Sequence, residues 1–134
     1  MLTIARCVHA IALAALTIEA WAGLAFFDAS RLAGFAGIHR YIRRVRHSDR
    51  HRTASPGSVV WAVDEACVWY FKRAFCLQRS FVTTWMLRRH GFAATLVIGY
   101  RAVPFESHAW VELDGRIVND RPQYQKYFHV LERL

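Results

Sequence analysis

The feature that most constrains this chain is a change in hydrophobic periodicity in its second half. Residues 76–90 place apolar side chains at i, i+4 spacing, and Gly91 follows a cationic last turn, which is typical of a helix and its end. Residues 108–113 and 116–120 then resemble two strands joined at Asp114-Gly115, a strong turn signal. The pattern therefore predicts one helix followed by a β-hairpin.

The length of the turn decides which hairpin residues face each other. A two-residue turn pairs Ala109 with Asp120 and leaves His108 on the opposite face of the sheet. A three-residue loop over 113–115, with Gly115 in the left-handed conformation, pairs His108 directly with Asp120 at a Cβ separation of roughly 4.5–5.5 Å. We predict the three-residue loop, and a two-residue turn would count against a catalytic triad that includes His108 and Asp120.

Cys76, His108 and Asp120 have the residue types and the order that acyl transfer through a thiol requires. An imidazole within hydrogen-bond reach removes the thiol proton, and a carboxylate behind it fixes the tautomer and stabilises the cation. A cysteine at a helix start also lies at the positive end of the helix dipole, which favours the thiolate. We therefore predict a catalytic triad of these residues, with the backbone N–H groups of Cys76 and Leu77 as oxyanion donors.

Four sequence segments surround these residues: Cys-Leu-Gln-Arg-Ser at 76–80, Leu-Arg-Arg-His-Gly at 87–91, Leu-Val-Ile-Gly-Tyr at 96–100 and Pro-Phe-Glu-Ser-His-Ala-Trp-Val-Glu at 104–112. Together they resemble the lasso-peptide leader peptidases, which are transglutaminase-like cysteine proteases, over about residues 60–134. The resemblance implies an α+β, papain-like fold in which the nucleophile helix packs on an antiparallel sheet, preceded by N-terminal helices. It also implies Cys76 as nucleophile, His108 as base and Asp120 as the orienting acid.

The activity that the resemblance implies is removal of the leader from a ribosomally made lasso-peptide precursor, so that a macrolactam-forming cyclase can act on the freed amine. Family members carry a leader-binding domain or borrow one from a second chain. We expect the split form here, since no spare segment of roughly 80 residues precedes the Cys76 block. The expected partners are the precursor leader peptide, a separate leader-recognition protein and the cyclase, and no cofactor is expected.

Two functions of other classes remain open at this point. A transglutaminase or amidase would use the same triad to pass the acyl group to an amine. A non-catalytic peptide- or membrane-binding module would leave the triad incidental and would rely on other parts of the chain.

The length of 134 residues suits one structural domain. A breaker cluster at 53–58 divides an N-terminal helical segment, 1–52, from the transglutaminase-like core, 59–134. We predict that Ser58 caps a helix running from Val59 to about Ala74.

Residues 7–27 form a largely apolar segment that His9 and Glu19 interrupt. A membrane span needs about 20 apolar residues in succession, so we favour a helical hairpin that faces the core or a partner. A membrane-surface helix and a signal peptide or span are the alternatives. Three cysteines give no metal signature, and a reducing bacterial cytoplasm suits a working thiol.

Residues 39–52 contain six arginines against one aspartate. We interpret them as a solvated helix end leading into a linker. A docking face for an acidic leader or partner is the alternative, and we expect no nucleic-acid binding because no such module is recognisable. His47 and His51 have the spacing of a metal pair, but no third ligand has a suitable position, so we expect no metal.

Several other polar or reactive residues are predicted to support structure rather than chemistry. Cys7 and Cys67 are expected to be buried inert thiols, Glu112 a cross-strand partner of Arg116, and His129 a satisfied histidine. Gln78, Arg79 and Ser80 are expected to have structural roles, with an oxyanion role for Gln78 as the alternative.

Overall fold

The computed structural model describes residues 1–49 and 52–134, and it has the α+β fold that the resemblance implied. Four antiparallel strands form one sheet in the order β3-β2-β1-β4, with helices packed on one face. The helices are α1 (Leu2–Ser30), α2 (Phe35–Arg44), α3 (Pro56–Val68), α4 (Cys76–Arg89) and α5 (Tyr124–Tyr127). The strands are β1 (Thr95–Arg101), β2 (Glu106–Leu113), β3 (Arg116–Ile117) and β4 (His129–Arg133).

Helix α1 is a single helix of 29 residues, followed by a short 3₁₀ turn and then α2. Its second half packs on α3 and α4 through one face, which carries Leu16, Ala20, Leu24 and Phe27. At Gly23 the helices approach closely, because a Cβ there would lie 2.9 Å from Cγ1 of a valine on α4. The residues of positions 3–12 are exposed all round the helix.

Within the described residues, one helical stretch, Thr3–Ala33, has the length and apolar composition of a membrane span. In the most apolar part of this stretch, 28% is buried inside the protein. The core helix of a soluble protein or a signal sequence can have the same length and composition.

Helix α3 differs from its predicted form at both ends. Ser55, and not Ser58, is the N-cap: its hydroxyl accepts a hydrogen bond from the Ser58 N–H at 3.1 Å, and Pro56 takes the first helical position. The helix ends at Val68 and does not reach Ala74. The predicted start was wrong because the capping side chain is that of Ser55, three residues before Ser58.

Helix α4 confirms the predicted start at Cys76 and the predicted end before Gly91, which has a φ of 90°. Such a left-handed position after a helix favours glycine. Phe81, Val82, Met86 and other side chains of this helix are fully buried against α1, α3 and the sheet. The helix is therefore the centre of the core, and its first residue is held at a fixed place beside β2.

The predicted hairpin register was wrong. Leu113 pairs with Arg116, so the turn has two residues, Asp114 and Gly115, with φ of 51° and 75°. Positive φ at both central positions is the type I′ pattern, which matches the twist of the flanking strands. The second strand was also predicted too long, because β3 ends at Ile117.

Alternation along β2 divides the sheet residues between two apolar clusters. Ala109 and Val111 face the helices and join the main core. Trp110 faces the other side, where it packs with Val97 and Phe128. The sheet is thus covered by helices on one face and by the short segment around α5 on the other.

Arg88 links the ends of several elements through its guanidinium group. It donates hydrogen bonds of 2.7–2.9 Å to the backbone carbonyls of Ile42, Val45, Ala94 and Leu134. Burial lowers the pKa of this guanidinium. The end of α2 and the C-terminus are therefore tied to α4, and residues on both sides of 53–58 share one apolar core. The division of the chain at 53–58 stays a prediction.

Candidate active site

Cys76 is the first residue of α4, and its thiol is half-buried in a cleft between α3 and the start of α4. The preceding Phe75 is extended, with φ −84° and ψ 169°, and no side chain caps the helix. The N–H groups of the first turn have no acceptor inside the helix, so they and the helix dipole favour an anion here. This local structure suits a thiolate.

His108 lies on β2, on the face that also carries Trp110. Its ring is enclosed by three aromatic side chains, with centroid distances of 4.6 Å to Tyr124, 5.7 Å to Phe128 and 6.3 Å to Trp110. The Nε2 atom lies 2.9 Å from Oδ2 of Asp120. This contact leaves Nδ1 as the ring nitrogen that can face the Cys76 thiol.

Asp120 is shared between His108 and a second cation. Arg79 Nη2 donates to the same Oδ2 atom at 2.6 Å, and Arg79 Nη1 lies 3.5 Å from Asp64 on α3. The other oxygen, Oδ1, accepts from the Arg121 N–H at 2.9 Å. The carboxylate is thus fixed from three directions, and charges alternate along the row Asp64, Arg79, Asp120, His108.

The early end of β3 explains how Asp120 reaches His108 despite the two-residue turn. The last ladder hydrogen bond runs from the Val118 N–H to the Val111 carbonyl at 2.9 Å. After it the Asn119 side chain replaces the strand: its Oδ1 accepts from the Val111 N–H at 2.8 Å, and its Nδ2 donates to Ser80 Oγ at 3.0 Å. The chain then turns away from the ladder, and Asp120 no longer has to lie opposite Ala109.

The freed edge of β2 faces the start of α4. Ser80 Oγ donates to the Ala109 carbonyl at 3.0 Å, and the Ala109 N–H hydrogen-bonds the sulfur of Cys76. The nucleophile helix therefore occupies the place that a longer β3 would take. Sequence reasoning missed Asn119 in this role, although asparagine and aspartate at the end of a strand-like run are a signal that the strand stops.

The pKa values of Cys76 and His108 shift in opposite directions. The hydrogen bond with the His108 imidazole is the largest effect and lowers the pKa of Cys76 against an opposing effect of burial, and the Ala109 and Leu77 N–H groups lower it further. The same hydrogen bond is the largest effect that raises the pKa of His108, with a further contribution from Asp120. Both shifts favour a thiolate–imidazolium pair.

Cys67 lines the same cleft and provides a contrast. Burial, with the nearby Asp64 carboxylate, raises the pKa of this thiol to about 11. The pKa values of two half-buried thiols in one cleft are thus shifted in opposite directions, and the lowered pKa belongs to Cys76.

The two predicted oxyanion donors, the backbone N–H groups of Cys76 and Leu77, have different surroundings. The Leu77 N–H is directed at the Cys76 sulfur, which it hydrogen-bonds. The Cys76 N–H belongs to the first turn and has no acceptor within the helix. Gln78, the alternative donor, is buried and donates from Nε2 to the Leu24 carbonyl at 3.1 Å, so it joins α4 to α1.

The remaining predicted residues have structural partners, and two predictions were wrong. Glu112 is bound by Arg133 at 2.5 Å, Trp110 and Gln125, and not by Arg116. Cys7 is exposed and not buried. His129 is exposed with its ring near Tyr100, and His47 lies 4.0 Å from Asp49.

His51, the second member of the predicted metal pair, lies outside the described residues. Across residues 1–49 and 52–134, no group of three or more His, Cys, Asp or Glu side chains is placed to hold a metal ion.

A helix that presents a thiol to a histidine on an antiparallel sheet, with a carboxylate beyond the end of the next strand, is the arrangement expected of a transglutaminase-like cysteine enzyme. The transglutaminase-like superfamily matches residues 20–133, and the chain belongs to this superfamily.

A segment of 59 residues is 37% identical to the microcin J25-processing protein McjB of Escherichia coli. It takes up 44% of the chain and 28% of the length of that relative, so the chain matches less than a third of McjB. No solved structure matches the chain significantly.

Proposed function

We propose that this protein is a cysteine peptidase that removes the leader peptide from a ribosomally synthesised lasso-peptide precursor. The observation that carries the proposal is the contiguous row of Cys76, His108 and Asp120, with the pKa of the thiol lowered and that of the imidazole raised. The similarity to a protein named for processing microcin J25 supports the kind of substrate.

The reaction would begin with attack of the Cys76 thiolate on the carbonyl carbon of the scissile bond. The backbone N–H of Cys76 would donate to the oxyanion, and the helix dipole would stabilise its charge. His108 would then give its proton to the leaving amine nitrogen as the C–N bond breaks, which leaves a thioester. Water would attack the thioester and pass a proton to His108, and the C–S bond would break to restore the thiolate.

Asp120 would hold the imidazole with Nε2 towards the carboxylate and Nδ1 towards the thiol. This orientation is what the attack needs, since the ring nitrogen beside sulfur must exchange the proton. Arg79 would act as a positioning residue, because it holds the oxygen of Asp120 that also contacts His108.

The test is cleavage of the precursor, followed by mass spectrometry, by wild-type and Cys76→Ala chains. Cys76→Ala is expected to abolish cleavage and keep the fold, while Cys67→Ala, the matched control in the same cleft, should keep the rate. Asp120→Asn should lower kcat by roughly 10²–10⁴-fold. Full activity of Cys76→Ala would end the proposal.

The product also separates hydrolysis from the second candidate activity, which is transfer of the acyl group to an amine. Membership of the transglutaminase-like superfamily favours this candidate. Hydrolysis adds water and releases a free carboxylate at the leader end. Transfer to an added primary amine would give a product whose mass includes that amine. Predominance of this amine adduct would replace the peptidase assignment.

We further propose that a separate leader-recognition protein supplies the substrate and that a macrolactam cyclase takes the product, in the cytoplasm. A partner that holds the leader raises the local concentration of the scissile bond at Cys76. The chain alone should therefore cleave the precursor slowly, and addition of the recognition protein should lower KM. Equal rates with and without it would contradict the split arrangement.

A further inference from the structure

The start of α4 lies between two clefts. The catalytic cleft, of about 410 Å³, is lined by Cys76 together with Asp64, Cys67 and Arg79. The aromatic cleft, of about 400 Å³, lies on the side of α1 and α2 and is lined by Phe27, Arg31, Phe35, Ile38, Phe75, Leu77 and Gln78. Because Phe75 and Leu77 flank Cys76 in sequence, the second cleft begins next to the nucleophile.

The walls of the aromatic cleft suit a bulky apolar side chain. Phe27 and Ile38 form a buried floor, each 5% exposed. Phe35 and Phe75 form the rim, at 55% and 63% exposed. Mostly apolar clefts with a few polar groups are the usual form of a site that binds a side chain or small ligand.

Arg31 provides the charged group of this cleft, whereas the amide of Gln78 is already bonded to the Leu24 carbonyl. Arg31 forms no ion pair with any residue in the part of the chain that the structure describes. The nearest carboxylate along the chain, Asp28, is already bound by Lys72 at 2.7 Å and by Tyr70 at 2.6 Å. The guanidinium therefore remains available to a carboxylate brought by a partner.

A peptide that crosses Cys76 would reach this cleft within a short distance. An extended chain advances about 3.3 Å per residue, so the residues next to the scissile bond would pass over Phe75 and Leu77. We propose that the aromatic cleft binds a bulky apolar side chain of the precursor, within about three residues of the scissile bond, and that Arg31 pairs with a carboxylate of the same peptide. This inference rests on the proposed function and names the substrate class of its site.

The kinetic test uses the full chain with the recognition protein and the precursor. Phe35→Ala and Arg31→Glu are expected to raise KM about three- to tenfold and to leave kcat unchanged, because each removes binding that is equal in ground and transition states. Leu32→Ala is the matched control, since Leu32 is 94% exposed between them and does not line the cleft. An unchanged KM in both variants, with wild-type cleavage intact, would overturn the inference.

The substrate side of the test replaces each apolar residue within three positions of the scissile bond by asparagine. One such replacement should raise KM with the wild-type chain and have little further effect with Phe35→Ala, as expected for two residues in contact. Additive effects of every pair would contradict a shared site.

A crosslinking measurement identifies the occupant without cleavage. The photoreactive amino acid benzoylphenylalanine is placed at position 35 of a Cys76→Ala chain. The chain is irradiated with the precursor and the recognition protein present, and mass spectrometry identifies the adducts. Attachment to the precursor supports the inference even if no leader is removed, so that failure of the proposed function is seen separately. Attachment to the recognition protein alone, or to neither, would overturn it.

Discussion

Replacement of His108 by asparagine tests the ion pair on which the proposed chemistry depends. The variant removes the hydrogen bond that has the largest effect in lowering the pKa of Cys76. Burial then opposes ionisation with less compensation, as it does at Cys67 in the same cleft, where it raises the pKa to about 11. We expect Cys76 to change from an activated thiol to an ordinary or hindered one.

The size of the effect follows from the value of one charged hydrogen bond. Such a bond contributes about 1.5–3 kcal/mol. Since about 1.36 kcal/mol corresponds to a factor of ten, the fraction of Cys76 present as thiolate at neutral pH should fall about ten- to hundredfold. The Ala109 and Leu77 N–H groups remain in the variant, so part of the stabilisation of the thiolate remains as well.

The pH dependence has a defined sign. The raised pKa of His108 means that its cation stabilises the fold below the ordinary value of 6.5, and that this stability is lost as the pH rises through the raised value. The lowered pKa of Cys76 means that its anion stabilises the fold above 9.0, and that this stability is lost as the pH falls through the lowered value. Both shifts therefore favour coexistence of the thiolate and the imidazolium, and His108→Asn removes this mutual stabilisation.

The assay is the rate of alkylation by iodoacetamide against pH, with each cysteine followed by peptide mass spectrometry. Wild-type Cys76 should react at pH values where Cys67 does not, and His108→Asn should move its profile to higher pH. His129→Ala replaces an exposed histidine of the same sheet and should leave the profile unchanged. An identical Cys76 profile in the wild type and in His108→Asn would refute the reasoning.

Three further predictions concern positioning and stability. Arg79→Ala should lower kcat for precursor cleavage about tenfold and Arg79→Lys by less, since an ammonium restores one contact to the triad carboxylate; equal loss in both variants would contradict this role. Arg88→Ala should lower the free energy of unfolding in urea by about 3–5 kcal/mol, because four carbonyls lose a charged donor. An unchanged urea midpoint would show that these hydrogen bonds do not stabilise the fold. Gly99→Ala places a Cβ 2.6 Å from the Trp110 ring and should lower the free energy of unfolding by about 1–3 kcal/mol. Gly57→Ala has nothing within 4 Å of the new Cβ and should raise the free energy of unfolding by about 0.5–1 kcal/mol. A shift of the thermal unfolding midpoint in the same direction for both variants would be inconsistent with this packing.

Helix α4 could be predicted from the sequence because its signals are local. The apolar spacing, the cations of the last turn and Gly91 each act within a few residues of the helix end that they define. The start at Cys76, and with it the environment of the thiol, followed from the same pattern. The start of α3 was missed by a few residues because two serines at positions 55 and 58 compete as caps, and only the geometry of the chain decides between them.

The hairpin could not be predicted in the same way, because its form depends on contacts with a distant helix. Asp114-Gly115 indicated a turn, but the number of residues in the turn and the end of β3 are settled by where Asn119 finds its partners. One of these is Ser80 on α4, which is 39 residues away in the sequence. The periodicity of the strand residues alone cannot predict that hydrogen bond.

The short β3 also has a consequence for the chemistry of the site. Had the ladder continued in its two-residue register, Asp120 would have paired with Ala109 and faced away from His108. The Ala109 N–H would then have bonded to β3, and it could not have reached the sulfur of Cys76. By ending the strand early, Asn119 leaves this N–H to the thiol and lets Asp120 turn towards the imidazole. The approach of thiol, imidazole and carboxylate therefore depends on a strand that stops early, as much as on the three residues themselves.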